Sequence, residues 1–70
     1  MPEEVVILNV GGMSCEHCAN RIMTALKSLN GVVDVIVSLK DKKVTVEYNY
    51  EKIDLETIKA VIEDNGYEVK

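Results

Sequence analysis

The chain has 70 residues, a formal net charge of −4 and no Phe or Trp. It reads as one small domain, residues 1–70, with a core built from Val, Ile and Leu. So short a chain buries only about 60% of the surface its unfolded form exposes, which leaves little room for a deep substrate cavity and argues against an enzyme. Its eight basic residues are spread among twelve acidic ones, which excludes the clustered basic patch of a nucleic-acid binder and leaves an acidic surface able to steer a basic partner.

The amino end, MPEEVVILNV, has no basic region, and its apolar run is too short for a secretory signal. No stretch approaches the roughly 20 apolar residues of a membrane span. The expectation is a cytoplasmic protein without direct membrane insertion, in a compartment where thiols stay reduced.

In chain order, Val6, Leu8 and Val10 alternate with Ile7 and Asn9, which predicts a strand ended by Gly11-Gly12. From Ser14 the period changes. Cys18, Ile22, Ala25, Leu26 and Leu29 fall on one helical face, with Ser14 as the expected N-cap and Asn30-Gly31 as the left-handed stop. Val33, Val35, Val37 and Leu39 alternate with Asp34, Ile36 and Ser38. After the polar turn Asp41-Lys42-Lys43, Val44, Val46 and Tyr48 alternate with Thr45 and Glu47, which predicts a β-hairpin. Asp54 is the expected cap of a second helix with Leu55, Ile58, Val61 and Ile62 on its apolar face, closed by Asn65-Gly66. Tyr67, Glu68 and Val69 make a short last strand. The order βαββαβ predicts an α+β, ferredoxin-like sandwich: a four-stranded antiparallel sheet with two helices on one face. Val33 and Ile36 are then expected to be partly exposed, as ordinary apolar surface or as a weak contact patch.

The chemistry concentrates in NVGGMSCEHCANRI, Asn9 to Ile22, which holds both cysteines and the only histidine. Cys15 falls at the helix start and Cys18 in the first turn. There, unpaired amides and the positive end of the helix dipole favour thiolate over thiol, and Arg21 lies one turn on. The pair can serve as a metal clamp, a thiol redox pair or an inert structural pair. Soft thiolates select Cu(I), zinc or iron–sulfur clusters. Structural zinc and iron–sulfur sites want four protein ligands. Two thiols, with His17 as a possible secondary ligand, suit two-coordinate Cu(I) better, with Ag(I) or Hg(II) as chemical surrogates.

GMSCEHC, Gly12 to Cys18, resembles the GMxCxxC metal-binding motif of heavy-metal-associated domains, and the resemblance extends over essentially all 70 residues through Asn30-Gly31-Val32 and Gly66-Tyr67. The resemblance implies Cu(I) ligation by Cys15 and Cys18, with Met13 a core brace rather than a ligand. Tyr67 would lie in the loop facing the site. Tyr67 and His17 look like the bacterial soluble copper chaperones, which pass Cu(I) to copper-transporting P-type ATPases. Zinc and cadmium modules usually carry Asp before the first Cys, where this chain has Ser14. A metal-binding module of a copper ATPase, a CxxC redox protein and a structural interaction domain are the rival readings. A copper-bridged homodimer is compatible with the exposed thiols.

Overall fold

The computed structural model describes residues 2–70. The elements follow the expected order: β1 (Glu3–Gly11), α1 (Glu16–Lys27), β2 (Val32–Ser38), β3 (Lys43–Asn49), α2 (Leu55–Asp64) and β4 (Glu68–Val69). The strands form one sheet in the order β2-β3-β1-β4, and every pairing is antiparallel. One face of the sheet carries the core. Leu8, Val10, Val35, Val44, Val46 and Tyr48 meet Ile22 and Leu26 of α1 and Ile58 and Ile62 of α2, so both helices lie on that face. Burial of these aliphatic side chains is the main source of stability. Tyr48 is 3% exposed, and its hydroxyl reaches the edge of the core to donate to Glu4 Oε2 at 3.0 Å. A buried tyrosine thereby keeps its polar end satisfied. No helix among the described residues is long and apolar enough to cross a membrane.

Three local expectations need correction. The strict alternation from Val33 breaks at a bulge: Val32 pairs with Tyr48 and Asp34 with Glu47, so Val33 is the extra residue. Val32 turns inward in its place, and Val33 is exposed, as expected of it and of Ile36. The first helix ends at Lys27 with Ser28 as its C-cap, so Gly31, at φ 108°, belongs to the turn that enters β2 rather than to the helix stop. Tyr67 is not part of the last strand, because it is held in the turn that closes α2.

That turn matters for the site. Gly66 at φ 92° takes the left-handed conformation, the amide of Gly66 donates to the Glu63 carbonyl and the amide of Tyr67 to the Ile62 carbonyl. This is the Schellman pairing, which satisfies the orphan carbonyls of α2 and fixes the direction of the residue that follows the glycine. It brings the Tyr67 side chain to the end of the sheet where β1 gives way to α1.

Candidate metal centre

The β1–α1 connection is short, and its two ends are held differently. Gly12 has φ 93°, a region that L side chains rarely adopt. A Cβ there would also meet the Tyr67 ring at 3.4 Å. Met13 follows and is 5% exposed, within the core cluster. A buried, unbranched side chain at this position ties the loop to the core, leaving the next residues to turn outward.

The helix does not begin as expected. Its N-cap is Cys15, not Ser14: Cys15 is extended (φ −158°, ψ 169°), and its carbonyl accepts the first helical bond, from Ala19 N at 3.2 Å. Its side chain makes no capping hydrogen bond. The consequence follows from the spacing. The N-cap and N3 positions lie three residues apart and face each other, so a CxxC aligned on them brings its two sulfurs together. The thiols are 3.6 Å apart, Cys15 Sγ toward Cys18 Sγ, with Cys15 exposed and Cys18 half-buried. Both cysteines are free thiols.

Cys18 is the better-supported of the two. Its thiol is lowered to about 7, chiefly because the Tyr67 hydroxyl donates toward its sulfur; the backbone of Ser14 and the Cys15 thiol add smaller contributions in the same direction. Tyr67 is pushed up in return, first by that same contact and then by desolvation. Tyr67 therefore faces the thiols, where the resemblance puts it. Ser14 contributes through its backbone beside Cys18 rather than as a helix cap. Sequence reasoning missed this role, and the signal available was that CxxC already carries the N-cap to N3 spacing.

The remaining candidates stand apart. Arg21 is not among the groups that lower Cys18; its charge acts on Tyr67. His17 lines an outward-facing depression with Asn20, Arg21 and Thr24 on the solvent side of α1. No group of three or more His, Cys, Asp or Glu side chains among the described residues is arranged to hold an ion. The donor set that converges is two sulfurs, open to solvent on one side and backed by a tyrosine and a buried methionine. Chemically, such a pair can clamp a soft two-coordinate ion or close a disulfide.

Solved structures similar to this chain share this architecture, and a curated relative is similar to it in sequence. A copper chaperone CopZ of Staphylococcus epidermidis is 50% identical over 64 residues, 91% of this chain and 94% of its own. A solved CopZ metallochaperone superposes with a TM-score of 0.94 at 40% identity, over 96% of this chain and all of the other. The amino-terminal domain of a potential copper-translocating P-type ATPase of Bacillus subtilis, solved in its Cu(I)-loaded state, superposes at 0.93 with 34% identity, over 97% of this chain and 85% of the other. The heavy-metal-associated domain family matches residues 7–68, a span that contains the whole β1–α1 loop and Tyr67, and the chain belongs to that family.

Proposed function

We propose that this chain is a cytoplasmic Cu(I) carrier: Cys15 and Cys18 bind one Cu(I) as thiolates and pass it by ligand exchange to the CxxC module of a copper-transporting P-type ATPase. The observation that carries the reading is the pair of thiols 3.6 Å apart at an exposed helix start, with no third His, Cys, Asp or Glu among the described residues grouped with them to hold an ion. The relatives named above, a copper chaperone and a Cu(I)-loaded ATPase domain, support both the cargo and the partner class.

The geometry suits transfer. Exposed Cys15 and half-buried Cys18 offer one sulfur to an incoming partner while the other keeps its hold. A two-coordinate ion accepts a third sulfur before losing one of its own. One Cu–S bond then forms as another breaks, between ligands of the same kind, so the exchange is nearly balanced and releases no free ion. Thiols that are protonated in the metal-free chain release their protons as the ion binds. Lowering Cys18 to about 7 keeps a large fraction of that thiol ready as thiolate near neutral pH. Tyr67 shields the inner side of the pair, and Met13 holds the loop from below.

The role is that of a carrier and not a catalyst. Ag(I) and Hg(II) are expected to occupy the same clamp. The same site would serve within an ATPase as its own amino-terminal module, a reading supported by the 34% identity with the Bacillus subtilis domain. A transfer experiment tests the proposal. Cu(I)-loaded chain is mixed with a metal-free CxxC acceptor domain in the presence of a chelator that traps any free ion. Copper moving to the acceptor without appearing on the chelator is the expected outcome. Copper that stays put, or that reaches the acceptor only through the chelator, overturns it.

A further inference from the structure

The sheet has a second face, which neither helix covers. The strand register lays its side chains out in rows. Ile7, Thr45 and Ile36 form the central row. On one side lies the row Val5, Glu47 and Asp34; on the other lies Asn9, Lys43 and Ser38. Ile7 and Ile36 are each 61% exposed and Val5 is 59% exposed, three bare aliphatic side chains on one uncovered face. The charges on this face are segregated along the strands. Glu47, Asp34 and, one row further, Glu3 lie at one end; Asp34 also pairs with Lys27 of α1 at 3.9 Å, so Glu47 is the central acidic charge of this face. Lys43 lies toward the other, where the Lys70 side chain also runs beside Gly11.

We propose that this face is a docking surface for a second copy of the chain, sheet against sheet, about a two-fold axis that runs along the Ile7–Thr45–Ile36 row. The charge pattern selects that axis. A two-fold axis across the strands at the central row sets Ile7 and Ile36 against their own copies and turns the acidic row of one molecule over the Lys43 row of the other. Lys43 and Glu47 then face each other twice per dimer, across sheets packed about 10 Å apart. A two-fold axis parallel to the strands would instead lay the acidic row on itself. The surface is small: seven-residue strands at roughly 3.3 Å per residue give a patch about 23 Å long. A patch of that length, three strands wide at roughly 4.8 Å per strand, is below the size of a stable interface and belongs to weak, reversible association. The axis also sends the Gly11 ends of the two β1 strands in opposite directions. The two thiol pairs then stand at opposite ends of the dimer, both open. A copper-bridged pair would bring them together, so the two associations are distinguishable.

Sedimentation equilibrium on the reduced, metal-free chain, up to about millimolar protein, tests the proposal, with Cys15→Ser/Cys18→Ser alongside to exclude metal and disulfide bridging. Apparent mass is expected to rise from 7.8 kDa toward twice that value in both proteins. Lys43→Glu and Glu47→Lys should each move the rise to at least several-fold higher concentration, because each sets like charges face to face. The combined Lys43→Glu/Glu47→Lys protein should recover it. A chain that stays at 7.8 kDa throughout would overturn the proposal and leave the face to some other partner or to solvent. Self-association indifferent to both single swaps would overturn it as well, by placing the contact elsewhere.

Discussion

The two helices of this chain start from the same backbone geometry and use it for opposite ends. Asp54 before α2 and Cys15 before α1 are both extended (φ −102°, ψ 164° and φ −158°, ψ 169°). Each is followed three residues later by the side chain that faces it, Thr57 in one case and Cys18 in the other. At α2 the facing positions close on each other. Asp54 Oδ1 accepts from the Thr57 amide at 2.9 Å and from the Thr57 hydroxyl, and those two contacts, hydroxyl first, hold the Asp54 carboxyl below its usual range. At α1 the same positions hold two thiols that leave the first-turn amides without a side-chain partner. A helix start can spend its geometry on its own cap or keep it for a ligand. α1 forgoes the cap, and its place is secured by Ile22 and Leu26, which are 1% and 0% exposed.

Exchanging the two solutions should produce the largest effect. Cys15→Asp gives α1 the cap that α2 has. Cu(I) affinity should fall by several orders of magnitude, while the thermal unfolding midpoint of the metal-free chain should rise. A chelator competition and a melting curve check the two halves, and an unchanged midpoint would break the equivalence of the two helix starts. Next in size is Leu26→Ala. It should cost about 2–5 kcal/mol by denaturant unfolding, since it leaves a cavity under the helix that carries the thiols. A third, smaller effect is the loss of the working cap. Asp54→Ala should lower the melting midpoint and leave Cu(I) affinity untouched, and Asp54→Ser should recover most of the loss. The sign of its pH dependence follows from the lowered carboxyl. The cap's contribution is fully present above the ordinary Asp range and disappears as pH falls through the lowered value.

The smallest expected change concerns Tyr67. In Tyr67→Phe the hydroxyl that does most to lower Cys18 is gone, so the thiol should titrate above its present value of about 7. Ultraviolet thiolate absorbance against pH reads this directly. A lowered thiol favours the fold at high pH: its contribution is complete above the unfolded thiol's range and is lost as pH falls through about 7. In the wild-type chain, proton release from Cys18 on metal binding should therefore fade above about pH 7. In the variant the fading should begin at higher pH. An unmoved titration curve would mean that Tyr67 covers the thiols without acting on them.

Much of this was legible from residue order. The period of two in β1 and β3, the stripe Ile58–Val61–Ile62, and the Asn65-Gly66 stop announce their elements because each obeys a single local rule. Inward burial of Met13 and the approach of Tyr67 to the thiols came from resemblance; no periodicity places them. What escaped depended on competition between nearly equivalent choices. Val32 and Val33 are the same residue type, so only the pairing register reveals which of them is bulged. Ser14 is a better cap than cysteine by propensity, yet Gly12 and buried Met13 set the chain's direction and shift the helix start by one residue. Tyr67 looks like a strand residue, but the turn that closes α2 claims it first.

The proposed function turns on two sulfurs holding one soft ion at an uncapped helix start. A competition titration tests that most directly: reduced chain against a chromophoric chelator of known affinity, with Cu(I) and Zn(II) in separate runs and Cys15→Ser/Cys18→Ser as the control. One equivalent of Cu(I) held tightly, lost in the control and far stronger than zinc, is the predicted result. Zinc held more tightly than Cu(I), or tight Cu(I) retained by the control, would contradict it.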